Sequence, residues 1–453
     1  MTKRLGFISA NNFRDPYPVY PIGVSYLMTY LSEHLPECLV DLFDFNIDGG
    51  YGELASWLEK GNYDAVAISL RNIDDNNILS DNCFVRHYEQ IVRTVRSVTD
   101  VKIMVGGPGF SIFPELLYER LGVDYGIKGE GEDALRELLQ CIFEGKDPRN
   151  VEGLVYQDDN GIIKVNPKTK YVASPSLRMN ASSVPFYFNE GGMLNVQTKR
   201  GCPFGCIYCS YPIIDGKRAR TLDADKVVAN IKNMYEEFGV DYLFFTDSVF
   251  NMHREYNEEL CAKMIENCPK VKWGAYFSPR NLTKEDLALY QKAGLTHIEW
   301  GTDTLADKTL ETYNKNITWE EIKQTSKWAS DLGIFYAHFM ILGGYGETEE
   351  TLAQTFERSK ELGFTVFFPY IGMRIYPGTK LFDVALAEGV VKDAAELVEP
   401  KYYVSKDINL DNIKANAKAS GQKWVFPDDE PSPLMEKFRA KHRRGPLWEY
   451  LRY

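Results

Sequence analysis

The first 145 residues alternate short apolar runs with longer amphipathic stretches. Val85, Tyr88, Ile91, Val92 and Val95 repeat at helical spacing, which predicts a helix with one apolar face. The apolar runs predict strands at residues 5–9, 40–45, 65–70, 102–105 and 124–128. Strands that alternate with helices form a parallel sheet covered on both faces. With right-handed crossovers, the pattern predicts a doubly wound, Rossmann-like or flavodoxin-like α/β domain.

Residues 146–192 interrupt this alternation. Apolar runs on both sides of Asp159-Asn-Gly161 predict a hairpin, and Ser174-Pro-Ser begins a linker. From Met193 a second series predicts strands at residues 194–198, 242–246, 271–276, 297–301, 335–342 and 365–371. Thr283-Lys-Glu-Asp286 and Thr318-Trp-Glu-Glu321 predict capped helix starts. An eight-unit barrel needs about 250 residues, so this shorter series predicts a partial (β/α)6 barrel.

These patterns predict a domain organisation in four segments. We expect a Rossmann-like domain over residues 1–150, a hairpin and linker over 151–192, a partial barrel over 193–385, and a small C-terminal extension over 386–453. A chain of 453 residues has ample length for two or three domains at about 100–200 residues each.

Composition narrows the class of protein. Hydrophobic residues make up 44% and charged residues 26%, which excludes a mainly disordered chain. We expect no transmembrane segment and no signal peptide, hence a cytoplasmic protein. The net charge of −12 argues against nucleic acid as a partner. A basic run near the C-terminus predicts a solvated helix face, with a docking surface for an acidic partner or an anionic lipid headgroup as the alternative: Lys437, Arg439, Lys441, His442, Arg443 and Arg444.

Three of the eight cysteines stand together as Cys202-Pro-Phe-Gly-Cys206-Ile-Tyr-Cys209. This loop follows the first strand of the second series, where active sites of such barrels lie. Three thiolates leave one iron of a [4Fe–4S] cluster without a protein ligand. The alternative is a zinc site with a distant fourth ligand, although zinc motifs usually pair two C-x2-C units. The other cysteines are expected to be small buried apolar residues: Cys38, Cys83, Cys141, Cys261 and Cys268.

The segment Gly201-Cys-Pro-Phe-Gly-Cys-Ile-Tyr-Cys209 resembles the cluster motif of the radical SAM superfamily. The resemblance covers residues 193–385. It implies that Cys202, Cys206 and Cys209 ligate a [4Fe–4S] cluster and that S-adenosylmethionine (SAM) chelates the open iron. Electron transfer then cleaves SAM to methionine and a 5′-deoxyadenosyl radical. No side chain is assigned a catalytic role beyond these cofactors.

Further segments resemble the parts of this family that bind SAM. Phe245-Thr-Asp-Ser-Val-Phe-Asn251 implies that Asp247 meets the methionine amino group, although Ser248 stands where relatives often carry a second acid. Arg280, after the third strand, would face the carboxylate or the ribose. Asp303 stands for the glutamate of the strand-four segment.

The adenine side of the implied SAM site comes from two other segments. Tyr208 occupies the aromatic position before the third cysteine. Leu342-Gly-Gly-Tyr-Gly-Glu-Thr348 resembles the strand-five segment, with Tyr345 replacing a proline, and the backbone of Gly343 and Gly344 would lie along the adenine.

The N-terminal region resembles the cobalamin-binding domains that are fused to radical SAM domains. The resemblance rests on Pro16-Tyr-Pro-Val-Tyr-Pro21, Gly106-Gly-Pro-Gly-Phe-Ser111 and Ile127-Lys-Gly-Glu-Gly-Glu132. Residues implied to bind cobalamin are Pro21, Gly23, Ser69, Asn72, Asp74, Gly106, Gly107, Pro108, Gly129 and Gly131. The motif that supplies an axial histidine in other cobalamin proteins is absent, because Asn46 stands in its place within Asp44-Phe-Asn-Ile-Asp-Gly49. We therefore expect base-off cobalamin without a histidine ligand.

The combined resemblance implies an anaerobic, cobalamin-dependent radical SAM enzyme that methylates an unactivated carbon. It would draw electrons from an external reductant such as flavodoxin or ferredoxin. The substrate is expected to be a small molecule, and a lipid-like one if aromatic residues near the strand ends line the cavity: Tyr336, Phe367, Phe368, Tyr370 and Tyr376.

Three alternatives stay open. The same domains could perform a non-methylating cyclisation, rearrangement or oxidation. A methylthiotransferase would need Cys38, Cys83 and Cys141 for a second cluster, yet Cys38 precedes the second strand and Cys141 lies in the last helix, so they should not converge. The third alternative is a non-enzymatic iron–sulfur or corrinoid-binding partner.

Overall fold

The computed structural model describes residues 2–80, 82–429 and 432–452. The chain divides into two compact units. The first comprises Met1–Asp75, Asn82–Phe186 and Ser210–Gly216, and the second comprises Asn76–Asp81, Tyr187–Cys209 and Lys217–Tyr453. In the part of the chain that the structure describes, no helix has both the length and the apolar character needed to cross a bilayer.

A seven-stranded sheet forms the centre of the first unit. Its strands are β1 Lys3–Ser9, β2 Cys38–Asp44, β3 Ala65–Ser69, β4 Lys102–Gly106, β5 Tyr125–Ile127, β6 Leu154–Gln157 and β7 Ile163–Val165. Its helices are α1 Ile22–His34, α2 Tyr51–Gly61, α3 Val85–Val98, α4 Pro108–Ile112, α5 Pro114–Leu121 and α6 Glu132–Glu144. The strand order is β2-β1-β3-β4-β5-β6-β7, and the first five strands are parallel. This order confirms the flavodoxin-like, doubly wound prediction.

The central strands of this sheet are apolar on both faces because helices cover both. In β3 the residues from Ala65 to Ile68 are all buried. Leu5 and Phe7 of β1 pack in one core with Val24 and Leu31 of α1. The hairpin β6–β7 pairs antiparallel with the edge strand β5, so it extends this sheet.

The second unit is built on another seven-stranded sheet. The strands are β8 Leu194–Val196, β9 Lys199–Arg200, β10 Arg220–Thr221, β11 Tyr242–Phe245, β12 Lys272–Phe277, β13 Leu295–Asp303, β14 Phe335–Leu342, β15 Val366–Ile371, β16 Met373–Arg374, β17 Tyr402–Tyr403 and β18 Lys423–Trp424. The main sheet has the order β8-β11-β12-β13-β14-β15-β18, and its neighbours pair in parallel. The six predicted strands of the partial barrel are confirmed, and β18 adds a short seventh strand that the sequence did not indicate.

Helices connect the strands of this second sheet. In chain order they are α7 Val184–Gly191, α8 Tyr211–Ile214 (in the first unit), α9 Ala224–Phe238, α10 Arg254–Asn267, α11 Lys284–Lys292, α12 Asp307–Thr312, α13 Trp319–Asp331, α14 Glu349–Ser359, α15 Lys380–Ala387, α16 Ile413–Ala419 and α17 Ser432–Ala440. Both predicted capping boxes are present, because Thr283 and Thr318 accept from the main-chain N–H three residues on. A 3₁₀ helix, Leu447–Arg452, follows α17.

Two expectations about side-chain exposure need correction. Cys38, Cys261 and Cys268 are buried as expected, but Cys83 and Cys141 are only half-buried. The basic run is not a wholly solvated face. Arg439 forms an ion pair with Glu190 at 2.9 Å, whereas Lys437, Lys441, His442 and Arg443 are exposed.

Candidate active site

The cysteine loop lies at the carboxyl end of the barrel sheet in the second unit. Cys202 is buried, Cys206 and Cys209 are half-buried, and none of the three forms a disulfide bond. The loop leaves β8 and β9 and makes an internal hydrogen bond from the N–H of Cys209 to the carbonyl of Cys206, at 3.3 Å. Gly201 has a φ of 83°, a conformation that glycine adopts without steric cost.

Asp247 fastens the start of the cysteine loop. Its Oδ1 accepts the N–H groups of Thr198 and Lys199, at 2.7 and 3.0 Å, and its Oδ2 accepts the Thr198 hydroxyl. The Lys199 ammonium completes a buried ion pair with Oδ2 at 3.3 Å. Sequence analysis placed Asp247 against a ligand's amino group. That contact stays a prediction; in the structure the carboxylate is buried and both of its oxygens accept hydrogen bonds within the fold.

A second segment clamps the far end of the loop. The N–H of Ile207 donates to the carbonyl of Tyr313 at 3.2 Å, and the Asn314 side chain donates to the carbonyl of Gly205 at 2.6 Å. Asn314 has a φ of 57°, which turns the chain sharply after α12. Residues 313–315 therefore form a direct partner of the cysteine loop, a role that sequence reasoning missed.

A hydrogen-bonded triad of buried Asp303 and half-buried Tyr208 and Lys315 joins these two segments. The Tyr208 hydroxyl donates to Asp303, and the Lys315 ammonium lies 2.8 Å from the same carboxylate. Burial disfavours the Lys315 ammonium, yet attraction from Asp303 and Cys206 holds the pKa of Lys315 above its ordinary value. Burial raises the pKa of the Tyr208 hydroxyl as well, and the negative charge of Asp303 adds to this. The arrangement places the ion pair of Lys315 and Asp303 beside the thiols.

Lys315 carries little signal in the sequence. It lies in a loop between α12 and α13, outside every quoted motif. Only the fold brings it to Asp303, which is itself held at a φ of 66° at the end of β13.

The remaining predicted SAM residues border the same loop or the neighbouring strand end. The Arg280 guanidinium stands 5.8 Å from the centroid of the Phe204 ring in the cysteine loop. Gly343 follows β14 with a φ of 80°. A Cβ on Gly344 would lie 2.3 Å from the Tyr313 hydroxyl oxygen, so the close approach of these two segments requires glycine.

Glu347 is a buried acid next to these glycines. Its Oε2 accepts the N–H of Gly343, while Oε1 has no hydrogen-bond partner among the described residues. Burial raises the pKa of Glu347 to about 8, although the main-chain N–H bonds oppose the shift. The side chain is therefore largely protonated at neutral pH.

The donor set of the loop fits an iron–sulfur cluster. Three thiols of one short loop supply soft ligands, and Lys315 offsets the negative charge of thiolates. Over residues 2–80, 82–429 and 432–452, no three His, Cys, Asp or Glu side chains converge on a single metal position. This result concerns single ions, because each thiolate of a [4Fe–4S] cluster binds a different iron.

The carboxyl edge of the first unit's sheet holds most of the predicted cobalamin residues. Ser69 ends β3, and Gly106, Gly107 and Pro108 end β4 and begin α4. Gly129 and Gly131 follow β5, and Pro21 and Gly23 flank the start of α1. A Cβ on Gly107, whose φ is 98°, would lie 2.6 Å from the carbonyl oxygen of Leu70. The loops after β3 and β4 therefore meet main chain to main chain.

Two of the predicted cobalamin residues make contacts within the fold: Asp74 is buried, and the half-buried Asn72 is bonded through its main chain. Asp74 is 2% exposed and forms a β-bridge with Cys83. The Asn72 carbonyl accepts the Tyr88 hydroxyl, so this residue also contributes to packing. By contrast, sequence analysis missed Asn11, just after β1. Its side-chain amide nitrogen is buried without a hydrogen-bond partner in the described structure, at the β1/β3 switch point where such sheets bind ligands.

Position 46, where the motif of other cobalamin proteins carries its axial histidine, holds an asparagine in this chain. Asn46 is fully buried and accepts from Arg14 at 3.2 Å. His87 lies nearby, but its ring nitrogens are taken by the Ala10 carbonyl at 2.8 Å and the Tyr51 hydroxyl at 2.7 Å. Burial also lowers the pKa of His87.

The three cysteines of the methylthiotransferase alternative lie apart. Cys38 is the first residue of β2, and Cys83 lies beyond the carboxyl end of β3. A strand of seven residues spans about 20 Å, so these two thiols stand near opposite ends of the sheet. Cys141 lies within α6.

Two segments of the chain match known protein families. A model of the radical SAM superfamily matches residues 196–359, and a model of the B12 binding domain matches residues 10–139. An uncharacterized methyltransferase of Pyrococcus horikoshii is 25% identical over 390 residues, which cover 82% of this chain and 79% of the relative. An anaerobic magnesium-protoporphyrin IX monomethyl ester cyclase of Cereibacter sphaeroides is 30% identical over 278 residues, which cover 56% of this chain and 44% of the cyclase.

A solved structure agrees over the whole chain. The radical S-adenosylmethionine methyltransferase TsrM from Kitasatospora setae, with cobalamin and a [4Fe–4S] cluster bound, superposes with a TM-score of 0.90 and 21% identity. The match covers 100% of this chain and 98% of TsrM, and it shows a shared fold. Residues 196–359 of this chain are therefore a radical SAM domain, and residues 10–139, ahead of it, are a B12 binding domain.

Proposed function

We propose that this chain is a cobalamin-dependent radical SAM methyltransferase that methylates an unactivated carbon of a small molecule. The observation that carries the proposal is a loop of three cysteines outside any disulfide bond, clamped at a barrel's carboxyl edge beside a half-buried lysine, in a chain that also has a B12 binding domain. The Pyrococcus horikoshii relative, named as a methyltransferase, supports the same reaction class.

Cys202, Cys206 and Cys209 are the residues that would hold the [4Fe–4S] cluster. Bound together, the cluster, SAM and cobalamin supply one-electron cleavage of SAM and methyl transfer, chemistry that side chains cannot offer. The chain's own residues hold the cysteine loop in position and shield it. Asp247 and Asn314 fix the two ends of the loop, and Lys315 balances thiolate charge without exposing the site to water.

SAM would lie against the strand ends around this loop. Arg280 offers a positive charge for a carboxylate, and Tyr208, Gly343 and Gly344 offer an aromatic ring and open main chain for the adenine. Asp303 would act through Tyr208 and Lys315, since both already bind its carboxylate.

Cobalamin would bind at the carboxyl edge of the first sheet, in the base-off form and without a histidine ligand. Ser69, Gly106, Gly107, Pro108, Gly129 and Gly131 are the candidates along this edge, and Asn11 joins them as an unpaired donor. The absence of a histidine at position 46 and the hydrogen bonds of His87 support this choice.

The experiment is a measurement of cobalt content and methyl transfer. The full chain is produced anaerobically with cobalamin supplied, and its cluster is reconstituted. We expect about one cobalt per chain and transfer of the labelled methyl group of SAM to the bound corrinoid. No cobalt in a chain with an intact cluster and SAM cleavage would contradict the methyltransferase proposal.

A second candidate function is a non-methylating cyclisation. The relative at 30% identity is named as an anaerobic cyclase, although this chain spans less than half of its length. A cyclase of this kind would form 5′-deoxyadenosine in proportion to product and leave the labelled methyl group in methionine. Either reaction needs a small-molecule substrate and an electron donor, for which flavodoxin or ferredoxin is the candidate.

A further inference from the structure

The tip of the cysteine loop reaches the surface of the second unit. Pro203 and Gly205 are exposed, and Phe204 between them is half-buried. Each of the three cysteines stands at most four residues from Gly205 along the chain. A cluster held by these cysteines would therefore lie close beneath a small uncharged patch of the surface. We call Pro203, Phe204 and Gly205 the loop tip.

Two basic residues flank the loop on the side of the later strands. The half-buried Arg280 guanidinium stands 5.8 Å from the centroid of the Phe204 ring. Lys380 is exposed and directly precedes Leu381, whose N–H donates to the carbonyl of Ile207 in the cysteine loop at 2.9 Å. Both positive charges are therefore held next to the loop by contacts within the barrel unit.

Two further basic residues flank the start of the loop. Arg200 of β9 pairs with Arg220 of β10 in antiparallel register. Two residues beyond this pair, at the same end of the hairpin, the two chains reach Cys202 and Arg218. Arg218 and its neighbour Lys217 are exposed. They therefore present their charges beside the first cysteine of the loop.

This concentration of positive charge is unusual for the chain. Residues 199–220 contain five basic residues and one acidic residue, whereas the whole chain has a net charge of −12. We call the four cations that flank the loop the basic collar: Lys217, Arg218, Arg280 and Lys380. The collar is a local exception to an acidic protein, and it surrounds the part of the surface nearest the cysteines.

The position of Lys380 shows that its charge does not serve its own helix. Thr379 caps α15 and accepts the N–H of Phe382, and Lys380 is the first residue of the helix. A helix N-terminus favours acidic side chains and disfavours cations. The exposed acids Asp383, in the same turn, and Glu311, near the opposite side of the loop, lie at the margin of the collar. The collar therefore keeps an excess of positive charge.

A collar of this kind suits a transient protein partner. Two acidic proteins repel each other over most of their surfaces, and a local patch of opposite sign orients the encounter and raises its rate. Electron-transfer encounters bury less than about 1,200 Å², so a loop tip and a few charges are enough to direct one. The cleavage of SAM under the proposed function needs one electron from outside the chain.

We propose that the loop tip and the basic collar are the docking surface for the electron donor, and that the donor is a small acidic carrier protein with a reduced flavin or iron–sulfur centre. This inference rests on the proposed function, because it names the partner of the same cysteine loop and where that partner docks. In the transfer the carrier is oxidised by one electron, and the cluster held by the three cysteines is reduced by one. No bond forms or breaks at the docking surface.

Binding is measured by titrating the reconstituted full chain with flavodoxin and, separately, with a ferredoxin in a calorimeter. We expect affinity to fall as salt rises from about 0.05 M to about 0.5 M, because salt screens exposed charges. Lys217→Glu, Arg218→Glu and Lys380→Glu should each weaken binding about fivefold at low salt. Asp383→Asn should strengthen it. The control is Lys437→Glu, at an exposed position in the C-terminal basic run, which should change nothing.

The rate of cluster reduction separates docking from damage to the loop. Reduced methyl viologen is a small cation, so the three charge reversals should leave its rate unchanged while they slow reduction by flavodoxin. Equal slowing with both reductants would overturn the proposal, as would unchanged carrier binding in all three variants. It would also be overturned if neither carrier bound, or if Lys437→Glu alone weakened binding and so placed the partner on the C-terminal run.

Cobalt content and SAM cleavage with methyl viologen are measured on the same preparations. If the wild-type protein holds cobalt and cleaves SAM but the charge reversals do not affect carrier binding, the docking inference fails and the proposed function stands. If carriers bind through the collar but the protein neither binds cobalt nor cleaves SAM, the docking surface stands and the proposed function fails.

Discussion

The three thiols of the cysteine loop are the expected cluster ligands, and iron content distinguishes them from the other cysteines. Alanine at Cys202, Cys206 or Cys209 should abolish iron binding and SAM cleavage, because each thiolate is expected to bind a different iron. Iron analysis after reconstitution checks this, with Cys268→Ala as the control for a buried cysteine elsewhere. Retention of about four irons per chain in any of the three variants would refute the assignment. Cys38→Ala, Cys83→Ala and Cys141→Ala should keep the wild-type iron content.

The charge of Lys315 should have the largest effect of any residue on the reduction potential of the cluster. A cation beside a cluster stabilises its more negative, reduced state, so Lys315→Met should lower the reduction potential by tens of millivolts. A redox titration followed by electron paramagnetic resonance measures the potential. Lys308→Met, at an exposed position on α12, should leave it unchanged. An unaltered potential in Lys315→Met would show that the charge is screened from the cluster.

Glu347 should make stability depend on pH. Its folded-state pKa is raised from 4.5 to about 8, so the folded protein holds the proton more tightly than the unfolded chain. Its contribution is complete below about pH 4.5 and is lost as the pH rises through about 8. Between pH 5 and pH 9 the free energy of unfolding should therefore fall less in Glu347→Gln than in the wild-type protein. The difference should be a few kcal/mol, at about 1.4 kcal/mol per pKa unit, and thermal unfolding measures it. The exposed Glu311→Gln should follow the wild-type curve.

At the scale of elements, helix starts and strands were predictable because each follows from local pattern. Thr318 shows this, because its hydroxyl accepts a hydrogen bond from the N–H of Glu321. The Glu321 carboxylate in turn accepts one from the N–H of Thr318 at 2.8 Å. Thr318→Ala should cost about 1 kcal/mol and lower the melting temperature of a unit of this size by about 2–4 °C. Thr312→Ala, at the other end of the neighbouring α12, should have a smaller effect. Equal losses would mean that the cap contributes nothing specific.

The sequence predicted the eleven main strands and the two hairpin strands within a few residues, but it did not predict β18. That strand has two residues and pairs only because α16 and β15 bring it to the sheet edge. The residues of the candidate site also fall into those that the local sequence predicts and those that it does not. The cysteines follow from spacing, whereas the positions of Lys315 and Asn11 depend on long-range packing. Asp247 was assigned to a ligand by resemblance, and the buried Lys199 that occupies it has no local signal.

At the scale of the whole molecule, the C-terminal 3₁₀ helix completes the barrel. Trp448 packs against Ala337 of β14 and Val366 of β15, and its indole N–H donates to Glu299 of β13 at 3.1 Å. Trp448→Ala should therefore lower stability by about 3–5 kcal/mol through lost burial and a cavity. Denaturant unfolding measures this loss. Trp448→Phe retains most of the packing and loses only the N–H donor, so it should cost much less. A similar loss in both variants would assign the effect to the hydrogen bond.

The position of Trp448 in the chain has a consequence for biosynthesis. It is made about 75 residues after the last long strand of the barrel, β15, an interval of about 4–15 s at common rates of translation. During that interval the barrel strands can pair before Trp448 packs against Ala337 and Val366. The walls of the nascent barrel therefore form first, and the burial that raises the pKa of Glu299 to about 7 is complete only when the 3₁₀ helix docks.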